Sequence, residues 1–190
     1  KIGIFGDYDV DGATSTALLG KYFDHLDVAY KTYIPDRKTE GYGPSIKGFK
    51  ELIDYGVKII FTVDCGTLSF DAIEYAKNKK IDVIILDHHQ SEINLPKAYS
   101  IVNPNRIDDK SNLQYLCAVG VSFMFLVSLN KSLRSIQWFE KKNKSEPNLL
   151  NYLDLVSLGT VCDVVPLVGL NRALVKQGLK ILRFKKNLGL

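Results

Sequence analysis

Gly6-Asp7-Tyr8-Asp9-Val10-Asp11-Gly12 sets three carboxylates at every second position. Before it runs the apolar Ile2-Gly3-Ile4-Phe5; after it, from Ala13 to Phe23, Ala17, Leu18 and Tyr22 recur at helical spacing. The pattern reads as strand, acidic turn, helix. Aspartates this close repel one another unless they are protonated, solvated or bound to a cation. Asp-x-Asp-x-Asp-Gly also opens an EF-hand loop, but Leu18 occupies the position where that loop needs Glu, and a strand-like run stands where its entering helix belongs. No Gly-x-x-x-x-Gly-Lys-Ser/Thr surrounds Gly6 or Gly12, which excludes a P-loop. The plainest alternative has Asp11 capping the helix, with Asp7 and Asp9 as solvated turn residues.

Working outward, Val28 to Ile34 is a second strand, followed by a Pro-, Gly- and charge-rich loop from Pro35 to Pro44 that holds Arg37, Lys38 and Gly41-Tyr42-Gly43. Ile46, Phe49, Leu52 and Ile53 mark a helix from Ser45 that Gly56 stops. Val57 to Val63 reads as a buried strand ending at Asp64-Cys65-Gly66-Thr67, Ser69 to Lys79 as a helix, and Val83 to Leu86 as a strand ending at Asp87-His88-His89. Ser100-Ile101-Val102 adds a fifth strand before Asn103-Pro104. This alternation predicts an α/β fold, a parallel β-sheet built from right-handed βαβ units.

Open parallel sheets bind ligands at the carboxyl ends of their strands. Such a sheet brings Asp7, Asp9 and Asp11 together with Asp64 and with Asp87, His88 and His89. Each strand-end Asp taken alone is explained as a helix cap; three acidic strand ends at one edge call for a metal centre. Oxygen ligands with one or two imidazoles suit Mn²⁺ or Mg²⁺ better than structural zinc, and two ions sharing a bridging aspartate neutralise so many carboxylates. His88 and His89 are adjacent, so their side chains are expected to diverge, leaving one as a direct ligand.

The 190 residues, 46% of them hydrophobic, suffice for one well-packed domain. Lys and Arg number 25 against 21 acidic residues, a net charge of +4 that permits a polyanionic substrate without requiring one. Cys65, Cys117 and Cys162 are odd in number and far apart, which argues against a disulfide framework or zinc knuckle and for a reducing cytoplasm. Cys65 and Cys162, beside proposed ligands, are read as packing residues, since thiolates match hard cations poorly. No run approaches the roughly 18 apolar residues of a membrane span, and no signal peptide precedes the first strand. The absent initiator Met points to a fragment of a longer chain. Further on, Cys117 to Leu129 reads as a buried helix, Lys131 to Asn148 as a solvated connector anchored by Trp138 and Phe139, Leu149 to Thr160 as a helix delivering Asp163, and the stretch from Asn171 as an amphipathic closing helix.

Asp9-Val10-Asp11-Gly12, Val63-Asp64-Cys65-Gly66 and Asp87-His88-His89 resemble the first three motifs of the DHH phosphoesterase family. The likeness is closest to its single-strand-specific bacterial exonuclease branch. It extends through the whole of Gly6 to Gly12, Ile34-Pro35-Asp36-Arg37, Ile101-Val102-Asn103-Pro104-Asn105 and the stretch from Leu155 to Leu167 that contains Asp163. The resemblance implies a DHH domain over 1–190, a parallel sheet flanked by helices with a helical C-terminal part, lacking the family's second domain. It implies two Mn²⁺ or Mg²⁺ ions held by Asp9, Asp11, Asp64, His88 and Asp163, with Asp64 bridging and His89 facing the scissile phosphate. Asp7 and Asp87 are additional candidates. The implied reaction is 5′→3′ digestion of single-stranded DNA in repair and recombination, with Asp64, His88 and His89 as the catalytic set; protein partners are not readable. Phe5 stands where many members carry a His, which puts one metal's ligand set in question. Arg37, Lys38 and Arg106 are candidates for phosphate contacts and Tyr42 for base stacking, against readings as surface charges and a packed ring. Two other classes stay open: a small-molecule or short-oligonucleotide phosphoesterase with the same metals, and a non-catalytic module holding a structural cation.

Overall fold

The computed structural model describes residues 1–185 and 187–189. In chain order the elements are β1 (Ile2–Gly6), α1 (Val10–His25), β2 (Tyr30–Tyr33), α2 (Ile46–Asp54), β3 (Ile59–Val63), α3 (Phe70–Asn78), β4 (Asp82–Leu86) and β5 (Ser100–Val102), followed by α4 (Ala118–Ser135), α5 (Trp138–Lys141), α6 (Leu153–Cys162) and α7 (Gly169–Leu182). The strands form one sheet in the order β2-β1-β3-β4-β5, and every pairing is parallel. From β1 the chain goes first to one side and then, through α2, to the other. The carboxyl ends of β1 and β3 therefore flank the point where the strand order reverses, the place where such sheets hold ligands.

Period-two alternation along the strands divides the interior into two cores. Ile4, Phe61, Val63 and Leu86 pack with Leu18, Leu19, Tyr22 and Phe23 of α1 and with residues of α4 and α6. Phe5, Ile60, Val83 and Ile85 face the other way, against Phe49 and Leu52 of α2 and Ile73 and Ala76 of α3. With both faces covered, the central strands β1 and β3 are almost wholly apolar, whereas the edge strand β2 carries Lys31 and Thr32. Ser45 caps α2 with its hydroxyl, and Gly56 ends the run at φ +90°.

The α4 helix continues to Ser135, so the first part of the expected connector is helical. Its anchor is Phe139, buried within α5, while Asn130 of α4 accepts a 2.6 Å hydrogen bond from the Tyr22 hydroxyl and donates to the Pro147 carbonyl. The helix expected from Leu149 begins as a 3-10 turn (Leu149–Tyr152) before α6.

Small residues let α6 approach α1 and α4. A Cβ on Gly159 would overlap Thr14 Oγ1 and lie 2.7 Å from Val119 Cγ1 and 3.1 Å from Asp11 Oδ1. Gly159→Ala is expected to cost about 1–3 kcal/mol through overpacking and, in a chain of this length, to lower the melting temperature by about 3–10 °C. An unchanged melt in circular dichroism would refute this close seating of α6.

Candidate metal centre

The cap of α1 is Asp9, not Asp11: its Oδ1 accepts the Gly12 N–H at 2.9 Å. Gly12 is required here because a Cβ would lie 2.5 Å from the Asp7 carbonyl oxygen. Asp11, in the first turn, points inward and is 1% exposed. Its oxygens accept the N–H groups of Ala118 at 2.5 Å and Val119 at 2.9 Å, the first turn of α4. Since Cys117, the residue before that helix, makes no side-chain cap, Asp11 satisfies its orphan donors from 107 positions away and sits at the positive end of its dipole.

Asp64 follows β3 in a left-handed conformation, φ 62°, and is 1% exposed. His88 Nε2 lies 3.3 Å from Asp64 Oδ1 and 3.8 Å from both Asp11 Oδ2 and Asp163 Oδ2. Asp163 reaches this point as the C-cap of α6, its N–H bonded to the Gly159 carbonyl at 2.9 Å. The next residue, Val164, is β-branched, 86% exposed and left-handed at φ 60°, a conformation that costs an ordinary L-residue about 1–2 kcal/mol. Ligand atoms lie within 4.8 Å of one another in three groups: Asp64, His88 and His89; Asp11, His88 and Asp163; Asp7, Asp9 and Asp64. His88 and Asp64 are each shared by two of them.

The two histidine rings do not diverge. Their centroids are 4.7 Å apart, and both histidines are close to Asp64, with His89 Nδ1 3.9 Å from Oδ1. These residues lie in a turn beyond β4, where the alternation of a pleated strand no longer applies. His89 Nδ1 lies 2.8 Å from Asp87 Oδ1, and its Nε2 is 3.4 Å from the Tyr42 hydroxyl. Asp87 falls in none of these groups: its buried oxygens accept from Thr67 N–H, His88 N–H, His89 N–H and the His89 ring.

Burial raises the carboxyls of Asp7, Asp11 (to about 6), Asp64 (to about 10) and Asp163; neighbouring aspartate charges add to this for Asp64. Burial would also raise Asp87, but its hydrogen bond from His89 and those from Thr67 hold it well below the carboxylate range. The same bond raises the His89 imidazole. Asp7 Oδ1, Asp64 Oδ1 and Asp163 Oδ2 are buried without a hydrogen-bond partner. Buried carboxylate oxygens without a protein donor are costly, and hard oxygens beside an imidazole are the donor set of Mn²⁺ or Mg²⁺. The residues fit such ions.

Around this cluster the other candidates divide. The Arg37 guanidinium lies over the Tyr8 ring at 5.4 Å and slightly offsets the burial-driven rise of the Asp7 carboxyl. In the same loop, the Lys38 N–H caps the Asp36 carboxylate. Tyr42 is half-exposed, yet its hydroxyl is 3.1 Å from the Asp64 carbonyl oxygen and 3.0 Å from His89 Nδ1, so the phenol belongs to the centre. Arg106 is engaged elsewhere: it pairs with Asp108 through two nitrogens and donates to the Ile101 carbonyl. Phe5, in the place of the family His, is fully buried and stacks on Tyr33 at 5.3 Å in the α2–α3 core. Cys65 is buried as expected, whereas Cys162 is exposed, because α6 ends there and presents it to solvent. Sequence reasoning gave no role to Asn103, Asn105 and Thr67, which bind the histidine turn. The pairing of two asparagines around Pro104 was the available signal.

Residues 1–160 match the model of the DHH family, N-terminal domain. The single-stranded-DNA-specific exonuclease RecJ of Escherichia coli is 41% identical over 187 residues, 98% of this chain and 32% of that protein. The chain thus spans about a third of the length of the curated relatives it matches. A crystal structure of exonuclease RecJ bound to manganese superposes with a TM-score of 0.77 at 34% identity, covering 94% of this chain and 43% of the other. RecJ in complex with Mn²⁺ from Thermus thermophilus superposes at 0.71 with 31% identity, over 94% of this chain and 24% of the other. Strand-end carboxylates, the Asp87-His88-His89 turn and the match over 1–160 make this chain a member of the DHH family, carrying its N-terminal domain.

Proposed function

We propose that this chain is the metal-binding domain of a two-metal phosphodiesterase that digests single-stranded DNA from a 5′ end. The observation that carries the reading is the pair of buried, unpartnered oxygens on Asp64 and Asp163 around a shared His88, with that of Asp7 grouped beside Asp64. Asp9, Asp11, Asp64, His88 and Asp163 would hold the ions, with Asp64 and His88 common to neighbouring groups. Bound there, the cations supply a water acidic enough to attack near neutral pH and neutralise phosphodiester oxygens. Asp11 is fixed by α4, so its carboxylate is pre-oriented, and Asp87 fixes the His89 ring, which would face the scissile phosphate. Arg37, beside Tyr8 and Asp7, contacts a further phosphate.

Residues 1–190 form one domain of a longer protein in which a second domain completes the nucleic-acid groove. Single-stranded DNA is its substrate class, in keeping with relatives named for that activity. Among the described residues no helix is long and apolar enough to cross a membrane. The longer protein carrying this domain, assayed with Mn²⁺, is expected to hydrolyse single-stranded DNA faster than dinucleotides; the reverse order would favour a small-molecule phosphoesterase. For the chain itself, Asp163→Ala is expected to weaken one Mn²⁺ site about 10-fold or more. Two unchanged sites in calorimetry would remove Asp163 from the ligand set.

A further inference from the structure

The histidine turn after β4 lies outside the sheet ladder, yet both histidine carbonyls are occupied. Asn105 Nδ2 donates to the His88 carbonyl, and Asn103 Nδ2 donates to the His89 carbonyl at 2.9 Å. The two asparagines are themselves coupled, since the Asn105 N–H donates to Asn103 Oδ1 at 2.8 Å. Asn103 Nδ2 also donates to Thr67 Oγ1 at 2.9 Å, and the Thr67 N–H donates to Asp87 Oδ2 at 3.0 Å. Ser91 closes the other side of the turn with a 3.1 Å bond to the Asn105 carbonyl.

We propose that Asn103 and Asn105 are positioning residues: each side-chain amide grips one histidine carbonyl, and together they set the spacing of His88 and His89 over Asp64. Asn103 is 3% exposed, and both of its amide N–H groups and its carbonyl are engaged, so its orientation is determined by its partners. At Asn103 an amide is needed because only Asn and Gln combine N–H donors with a carbonyl acceptor on one short arm, and Asn105 uses its amide N–H as a donor. Pro104 between them limits the backbone of the turn. The division of labour is specific. Asn105 holds the residue shared by two ligand groups, and Asn103 holds the one whose ring is hydrogen-bonded to Asp87.

This inference rests on the reading of His88 as a metal ligand, and the test separates the two. Mn²⁺ titration of the chain by calorimetry is combined with thermal melts of the metal-free proteins for wild type, His88→Ala, Asn105→Ala and Asn103→Asp. The last keeps size and the acceptor for the Asn105 N–H while removing the donors. Loss of Mn²⁺ affinity in His88→Ala tests the underlying reading. Given that loss, Asn105→Ala is expected to weaken Mn²⁺ binding about 10-fold, the usual effect of removing an outer partner of a ligand, with a metal-free melt close to wild type. Asn103→Asp is expected to weaken Mn²⁺ binding less than Asn105→Ala does and to shift the imidazole ¹⁵N resonances of His89, not of His25, in the metal-free chain. Wild-type Mn²⁺ affinity in Asn105→Ala, or an unmoved His89 signal in Asn103→Asp, overturns the proposal. So does a metal-free melt that falls so far that the affinity loss tracks unfolding. If His88→Ala binds Mn²⁺ as wild type does, the ligand reading fails, and the positioning role falls with it.

Discussion

Asp64→Asn is expected to reduce hydrolysis by the longer protein at least about 10³-fold, because a metal contribution of several kcal/mol is lost at about 1.4 kcal/mol per decade of rate. The same change is expected to leave the metal-free fold intact or to raise its melting temperature. Asp64 is buried among like charges, and burial pushes its carboxyl up to about 10, against an unfolded value of about 3.9. A carboxyl raised on folding contributes stability that is present in full below the unfolded value and is lost as pH rises through the folded one. At pH 7 wild-type folding must therefore take up a proton at this position, and a neutral amide need not. Asn is also suited to the left-handed backbone that Asp64 adopts, φ 62°. Inactivity with a preserved or raised metal-free melt is the expected pair of results. Near-normal turnover at saturating Mn²⁺ would remove Asp64 from the centre.

The metal-free chain is expected to lose stability as pH climbs from about 4 toward 10, and Mn²⁺ is expected to reverse that loss. Asp7, Asp11, Asp64 and Asp163 are all raised on folding, with Asp11 at about 6 and Asp64 at about 10. Their contributions are greatest below the unfolded carboxylate range and fall through those folded values. Asp87 is lowered and acts oppositely, so an acid limb appears as pH drops below about 4. Metal binding requires the ionised carboxylates, so its increment should grow with pH across the same window. One ion at 100 times its dissociation constant adds about 2.7 kcal/mol, which in a chain of this length raises the melting temperature by about 5–10 °C. Melts from pH 4 to 9 with and without Mn²⁺ provide the check. A Mn²⁺ increment independent of pH would show that these carboxylates are not what the ion binds.

Much of this protein was legible from residues alone because its information is local. Alternating apolar runs and helical spacings specify β1 to β5 and α1 to α3, and once the sheet is parallel, geometry places every strand end at one edge. Asp64 and the Asp87-His88-His89 turn follow from that placement without further information. The roles inside the acidic turn do not. Asp9 and Asp11 are equally good caps as residue types; what separates them is the N-terminus of α4, brought from 107 positions away, whose free N–H groups claim Asp11 and leave the cap to Asp9. Asp163 likewise depends on Gly159, which has room for no side chain and so lets α6 settle against α1. Tertiary contacts also separated charges that look alike in sequence: Arg106 is committed to Asp108 and the Ile101 carbonyl, while Arg37 lies over Tyr8 beside Asp7. Local periodicity determines which elements form because it acts within a few residues. Which carboxylate caps, which ligates and which merely orients is decided by donors that arrive from distant elements, and only the packed fold brings them within hydrogen-bond reach.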